Sequence, residues 1–325
     1  MTTYKEIFGK QVKQLSSDPA GSEREGQIWF NTSAGVFKTA LDVGAWSSGG
    51  NLGTARYSLM SANGASSTAA LAFGGSTNPS GAASALTEEY GGTSWTAGGN
   101  MGAARYGGAG AGTQTAGLGF AGRPPGSGVT TTEEYNGSSW TGGGAMGQAR
   151  IGLAGLGIQT AALAFGGSPP ATAATEEYNG SSWTGGGNLA AAVEDAAGAG
   201  IQTAGLKFGG RPGNQTTEEY NGSSWTAGGA LNTLRGYMGG AGVQTSALAY
   251  GGFVPPTYST ATEKYNGTSW TTQSATMAVA RRQFAGTGSS SSSALAFGGE
   301  TSGSPHIATT EEYDESVTTK TLTSG

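Results

Sequence analysis

The nonapeptide Thr175-Glu176-Glu177-Tyr178-Asn179-Gly180-Ser181-Ser182-Trp183 decides how this chain is read, because near-copies of it return along most of the 325 residues. Its tyrosine recurs as Tyr90, Tyr135, Tyr178, Tyr220, Tyr265 and Tyr313, at separations of 45, 43, 42, 45 and 48 residues. The tryptophan recurs as Trp46, Trp95, Trp140, Trp183, Trp225 and Trp270. A further marker, an aromatic residue before Gly-Gly or Ala-Gly, falls at Phe73, Phe120, Phe165, Phe208, Tyr250 and Phe297. Such self-similarity belongs to architectures in which each repeat is one supersecondary unit that buries its apolar face against its neighbours.

Outward from the nonapeptide, residues 145–184 parse into four short strands. Ala149 to Gly155 reads as the first, Gly157 to Thr160 as a turn, and Ala161 to Phe165 as the second, ending at Gly166-Gly167. Thr175 to Tyr178 is the third and Ser182 to Thr184 the fourth, with Asn179-Gly180 predicting a type I′ hairpin between them. Four strands at this period match one blade of a β-propeller.

The 62 glycines then have a physical role, since strands converging near a propeller axis need small side chains, as in Gly107-Gly108-Ala109-Gly110 and Gly239-Gly240-Ala241-Gly242. No Gly-X-Y period is present, and 7 Trp, 12 Tyr and 10 Phe are too many for a disordered linker. The expected class is all-β. Charge is sparse, 16 Lys and Arg against 21 Asp and Glu, for a net charge of -5. Basic residues scattered along an acidic chain argue against nucleic acid as a partner. No run of 18 apolar residues predicts a membrane span, and the polar stretch Met1 to Leu15, with Lys5, Lys10 and Lys13, does not read as a signal peptide.

The order aromatic-Gly-Gly, Tyr, Trp, then Met or Leu-x-x-x-Arg resembles the kelch repeat over residues 45–315. Departures are Ala121 within Phe120-Ala121-Gly122, Val193 where the other repeats carry Arg56, Arg105, Arg150, Arg235 and Arg281, and Lys264 for a second glutamate. Because Val193 is followed by Glu194-Asp195, that boundary is the least regular. The chain enters with the strand of Trp46, which has no Tyr strand before it, and leaves with that of Tyr313, which has no Trp strand after it. Trp46 is therefore expected to supply the fourth strand of the last blade, closing a six-bladed propeller and removing open edges.

Residues 1–44 lie outside the repeats, and residues 316–325 form a polar, Thr-rich tail. Within the first segment, Gly26-Gln27-Ile28-Trp29-Phe30-Asn31-Thr32-Ser33-Ala34-Gly35-Val36-Phe37-Lys38 reads as strand, turn, strand, with Ile28, Phe30, Val36 and Phe37 expected to be buried. Together with Leu15-Ser16-Ser17-Asp18-Pro19, this run resembles modules of tailed-bacteriophage virion proteins, notably marine ones, where similar runs precede Tyr-Asn-Gly-x-x-Trp repeats. The resemblance implies a structural or tail-fibre-like virion protein at the particle surface. Residues 1–44 would attach it to other virion proteins, and a host-surface glycan or protein would be its partner. The alternative class is an intracellular kelch-type interaction scaffold.

Catalysis is not expected. With no cysteine and His306 the only histidine, there is no thiolate, no expected metal site and no cofactor motif. Copper-oxidase chemistry of the galactose-oxidase type is excluded on the same ground. The glutamate pairs Glu88-Glu89, Glu133-Glu134, Glu176-Glu177, Glu218-Glu219 and Glu311-Glu312 resemble catalytic carboxylates. Neighbours in a strand point to opposite faces, so a structural role with the repeated arginines is expected instead. A sialidase-like hydrolase, a remote alternative, would need an arginine cluster and a nucleophilic tyrosine outside the repeat pattern, and none stands out. Gly108 to Gly112 mimics a dinucleotide loop but lies in a strand pattern, and the sequons at Asn136, Asn179, Asn221 and Asn266 coincide with hairpin turns.

The repeats differ most in the loops before each Tyr strand, at 76–86, 123–131, 168–174, 211–216, 253–261 and 300–309. Loops on a rigid scaffold carry specificity, and aromatic and arginine side chains are the usual anchors. The candidate binding residues are Arg123, Arg211, Phe253, Tyr258 and His306.

Overall fold

A computed structural model describes residues 12–18, 28–78 and 81–322. Lys5, Lys10, Pro19, Gly26 and Gln27 lie outside the described residues, as do Pro79 and Ser80 of the first variable loop. Every helix or strand among the described residues is a strand, and the architecture is repetitive, all-β and β-propeller-like. Two compact bodies are present, one of Met1–Ala45 with Asp314–Gly325, the other of Trp46–Tyr313.

The third repeat shows how sequence becomes sheet. Ala154–Ile158, Ala161–Phe165, Thr175–Tyr178 and Trp183–Gly185 lie in that order as four antiparallel strands. The first strand starts later than expected: the chain at Arg150 is loop, and the turn shortens to Gln159-Thr160. The next turn also differs, since Tyr178 pairs with Trp183 across a four-residue loop. Of its first two residues only Gly180 has positive φ, which rules out type I′. The Asn179 side chain substitutes for turn backbone, its Oδ1 accepting the amides of Ser181 at 3.0 Å and Ser182 at 2.9 Å.

The first, second, fourth and fifth repeats build equivalent four-stranded sheets. In the last, Ala285–Ser290, Ser293–Phe297 and Thr310–Thr321 are followed by Val36–Gly49. The first strand of each sheet packs against that of the next, and Ala285–Ser290 packs against Met60–Ser61. Here the spacing is tight enough to demand glycine: a Cβ on Gly155 would sit 2.5 Å from Phe120 and 2.8 Å from the Gly110 carbonyl oxygen. At the aromatic-Gly-Gly corner, Ala121 adopts φ of 56°, a left-handed conformation costing about 1 kcal/mol for a residue with a Cβ.

Contacts between sheets repeat as closely as the sequence does. Each repeated tryptophan donates its Nε1–H to a threonine of the preceding sheet at 2.9 Å, as Trp140 does to Thr87 and Trp183 to Thr132. Trp95 donates in the same way to Thr310, and Trp46 to Thr262. The indole also packs on the aromatic of the corner, as Trp183 does on Phe120 with centroids 4.8 Å apart and Trp46 on Tyr250 at 5.0 Å.

The paired glutamates diverge onto separate partners. The second of each pair accepts a hydrogen bond from the next tyrosine, Glu134 from Tyr178 at 2.6 Å and Glu177 from Tyr220 at 2.5 Å, while Glu312 accepts from Tyr90. Burial, reinforced by the carboxylate, pushes the Tyr178 and Tyr220 hydroxyls up to about 12. In four of the five pairs the first glutamate is buried on an arginine from the loop ahead of its sheet, as Arg56 meets Glu88 at 2.8 Å, Arg150 meets Glu176 at 2.5 Å and Arg281 meets Glu311 at 2.6 Å, while Glu218 meets Lys207. Arg56, Arg150 and Arg281 also bind carbonyls, Arg150 those of Gly166 and Ala174.

In the body containing the N-terminus, Ile28–Asn31 pairs antiparallel with Val36–Gly49 from Asn31 opposite Val36, and Gly35 closes the turn with φ of 68°. The inward side chain is Trp29, 1% exposed, whereas Ile28 is 38% exposed, contrary to the sequence expectation; Phe30, Val36 and Phe37 are half-buried. Asp18 ties this turn together, accepting from Asn31 at 2.8 Å, Lys38 at 2.8 Å and Trp29 at 3.3 Å. The Lys38 hydrogen bond, with that from Asn31, holds its carboxyl below the usual range.

Candidate binding site

Just after each Met or Leu-x-x-x-Arg segment, and after its counterpart ending in Val193, the chain enters its next sheet through one left-handed residue. These are Ser58, Gly107, Gly152, Asp195, Tyr237 and Gln283, with φ of 48°, 66°, 62°, 54°, 56° and 52°. Their backbones form a circuit. Gly107 donates to the Ser58 carbonyl at 2.9 Å, Gly152 to Gly107 at 2.8 Å, Asp195 to Gly152 at 2.6 Å and Tyr237 to Asp195 at 2.9 Å. Gln283 then donates to Tyr237 at 3.3 Å, and Ser58 to Gln283 at 2.7 Å.

Inside this circuit is a cavity of about 110 Å³, bounded next by Leu59, Gly108, Leu153, Ala196, Met238 and Phe284. The same six residues border a deeper cavity of about 130 Å³. Asn63 lines the deeper cavity and donates its Nδ2 to the carbonyls of Gly155 at 2.9 Å and Gly198 at 3.0 Å. Thr287 fixes this segment, bonding the carbonyls of Ala62 and Ala65 at 3.0 Å.

The circuit is regular in backbone and irregular in side chains. Asp195 lies 3.5 Å from Arg211, which also approaches Glu194 at 3.7 Å and donates to the Tyr237 hydroxyl. Arg211 stacks over the Tyr237 ring at 5.1 Å. Beside it, Arg282 lies 5.6 Å from the Tyr237 ring centroid, 5.1 Å from that of Phe253 and 5.0 Å from that of Tyr258. Glu300 accepts from Arg282 at 2.5 Å and from the Tyr258 hydroxyl at 3.1 Å. Phe253–Val254 and Thr257–Tyr258 pair as a small extra hairpin that carries both rings.

Burial pushes the Asp195 carboxyl up to about 7, its Tyr237 hydrogen bond opposing and the charge of Glu194 adding. Burial and the neighbouring Asp195 push the Tyr237 hydroxyl up to about 12.

Of the residues expected from sequence, Arg211, Phe253 and Tyr258 are brought into this cluster. Arg123 is exposed and bonds locally to the Gly126 carbonyl at 2.7 Å. His306 is half-buried in the last variable loop, its Nδ1 without a hydrogen-bond partner among the described residues. Sequence reasoning missed Asp195, Tyr237, Arg282 and Glu300 as site residues. The available signal was the column two residues beyond the repeated arginine, where Gly107 and Gly152 give way to Asp195, Tyr237 and Gln283. Among the described residues no three acidic or histidine side chains gather as a metal-binding group.

No protein-family model and no curated protein sequence matches the chain.

Proposed function

We propose that the chain is a non-catalytic recognition component of a virus particle, built as a closed six-bladed kelch-like propeller. In this reading the strand of Trp46 completes the blade that ends in Tyr313, residues 1–44 attach the protein to other virion proteins, and the loop face around the axial mouth meets a host-surface glycan or protein. Closure is supported by the Trp46 to Thr262 hydrogen bond, which ties the last sheet to the fifth, and by the Trp95 to Thr310 and Tyr90 to Glu312 hydrogen bonds, which tie the first sheet to the last; all three repeat contacts made between the other sheets.

One observation carries the binding reading: the repeats keep the same tryptophan contacts and most of the tyrosine and glutamate contacts, while several of their departures converge on one sector of the mouth. Arg211, Tyr237, Phe253, Tyr258, Arg282 and Glu300 interact there although they come from several repeats. Arginine and tyrosine dominate recognition hot spots, where truncation of one anchor costs about 2 kcal/mol or more. The virion assignment rests on the resemblance of residues 15–38 and is tested by mass spectrometry of purified particles, which should contain the chain in stoichiometric amount. The recognition face is tested by replacing Arg211, Phe253 and Tyr258 with alanine. Host-cell binding should fall while the melting temperature holds, and undiminished binding by the folded triple variant would refute the assignment of this face.

A further inference from the structure

We propose that the axial cavity within residues 46–313 binds a small alkylammonium ion, its charge on the Asp195 carboxylate and its alkyl body among Leu59, Leu153, Met238 and Phe284. This proposal goes beyond the recognition surface described above and does not depend on the virion reading.

The argument starts from the supply of donors and acceptors. All six backbone amides of the circuit are spent on one another. A carbonyl has two lone pairs and each of these accepts one amide within the circuit, so the mouth is rich in acceptors and poor in backbone donors. Among the described residues lining the upper cavity, Asp195 carries the one carboxyl group and no lysine or arginine is present. Glycine at position 152 leaves space for this carboxylate, because a Cβ there would lie 2.7 Å from Asp195 Oδ1. Such an annulus disfavours an anion and suits a group with three N–H donors and one positive charge.

Size and polarity select the rest of the ligand. Below the circuit the large side chains are those of Leu59, Leu153, Met238 and Phe284, set among polar backbone atoms, and a cavity of roughly 150 Å³ is large enough to hold benzene. A body of four or so carbons therefore fits the upper cavity of about 110 Å³, and the shared wall leads into the deeper one of about 130 Å³. Besides Asp195, the ionisable groups of this sector are Glu194, Arg211, Tyr237, Arg282, Tyr258 and Glu300; Arg282 pairs with Glu300 and Arg211 offsets one of the other two carboxylates, so the sector is negative once Asp195 has lost its proton. Because the empty site holds the Asp195 carboxyl near 7, an ammonium must compete with its proton, and binding is expected to weaken about tenfold per pH unit below that value.

The test is calorimetric titration of the full chain with n-butylammonium chloride at pH 8, with n-butanol and sodium n-butyrate as controls. Saturable binding of the ammonium alone is expected, weakened at least about tenfold by Asp195→Asn and steeply reduced at pH 5. Asparagine tolerates the left-handed backbone at this position, and Asp195→Gly restores the residue type of Gly107 and Gly152, so both variants should fold. Absence of saturation, tighter binding of butyrate or butanol, or ammonium binding unchanged in both folded variants would overturn the proposal.

Discussion

In the third repeat the buried Glu176 meets Arg150, which comes from the loop ahead of the sheet, at 2.5 Å; in the fourth the equivalent Glu218 meets Lys207, directly opposite on the neighbouring strand, at 3.5 Å. Both carboxylates use their other oxygen to hold a backbone amide of the entering loop, Gly147 in one and Ala190 in the other. The invariant requirement is thus a neutralised carboxylate that clamps the loop, and the source of the positive charge is exchangeable. Arg150 leaves a buried Nε without a partner among the described residues, as do the other four repeated arginines, so the substitution by Val193 removes one unsatisfied donor. Lysine replaces the small residue of the second strand only where the arginine is missing, which couples the two departures. With Arg replaced by Val193, the fourth repeat then turns into its sheet through Glu194 and Asp195 and gives the mouth its acid.

The largest effect should come from Glu176→Ala, which strands Arg150 as an unpaired buried cation; urea denaturation should show a loss of about 3 to 5 kcal/mol. Lys207→Ala should cost somewhat less, about 2 to 4 kcal/mol, since the longer pair leaves a weaker clamp. Exchanging the two solutions with Val193→Arg and Lys207→Ala together should recover most of that loss, and failure to recover it would break the equivalence of the two repeats.

At the mouth the sign reverses. The Asp195 carboxyl is raised from 3.8 to about 7, so the folded protein holds more protons than the unfolded chain between those values. Its contribution to stability therefore falls as pH rises through that window. Asp195→Asn should be more stable than the parent at pH 8, by about 1 to 3 kcal/mol, with the advantage gone below pH 4 in paired thermal melts. A smaller change, about 1 kcal/mol, is expected for Tyr178→Phe, which removes the hydrogen bond to Glu134 and nothing of the ring packing on Trp183.

Much of this was readable from the repeat. The period, the aromatic columns and the terminal half-repeats around Trp46 and Tyr313 are linear patterns, and the opposite directions of Glu176 and Glu177 follow from strand geometry. Other features were hidden by physics that spacing does not encode. Asn179 looks like half of a two-residue turn because Asn-Gly suits positive φ, yet its side chain caps a longer loop. Ile28 and Trp29 alternate, and only the tertiary partner Asp18 decides which of them turns inward. Asp195, Tyr237 and Arg282 are dispersed in sequence, and their convergence depends on a backbone circuit that leaves no motif.

The account's central claim is that Trp46 completes the blade ending in Tyr313, so that it does for the last repeat what Trp140 does for the second. Both indoles donate to a threonine at 2.9 Å and pack against a corner aromatic, at 5.0 Å for Trp46 and 4.8 Å for Trp140. Chemical denaturation of Trp46→Ala and Trp140→Ala side by side tests this directly. A closed propeller predicts comparable losses, about 2 to 4 kcal/mol for each of these half-buried rings. A loss under about 0.5 kcal/mol for Trp46→Ala, typical of a side chain on a free terminus, beside a full loss for Trp140→Ala, would contradict it.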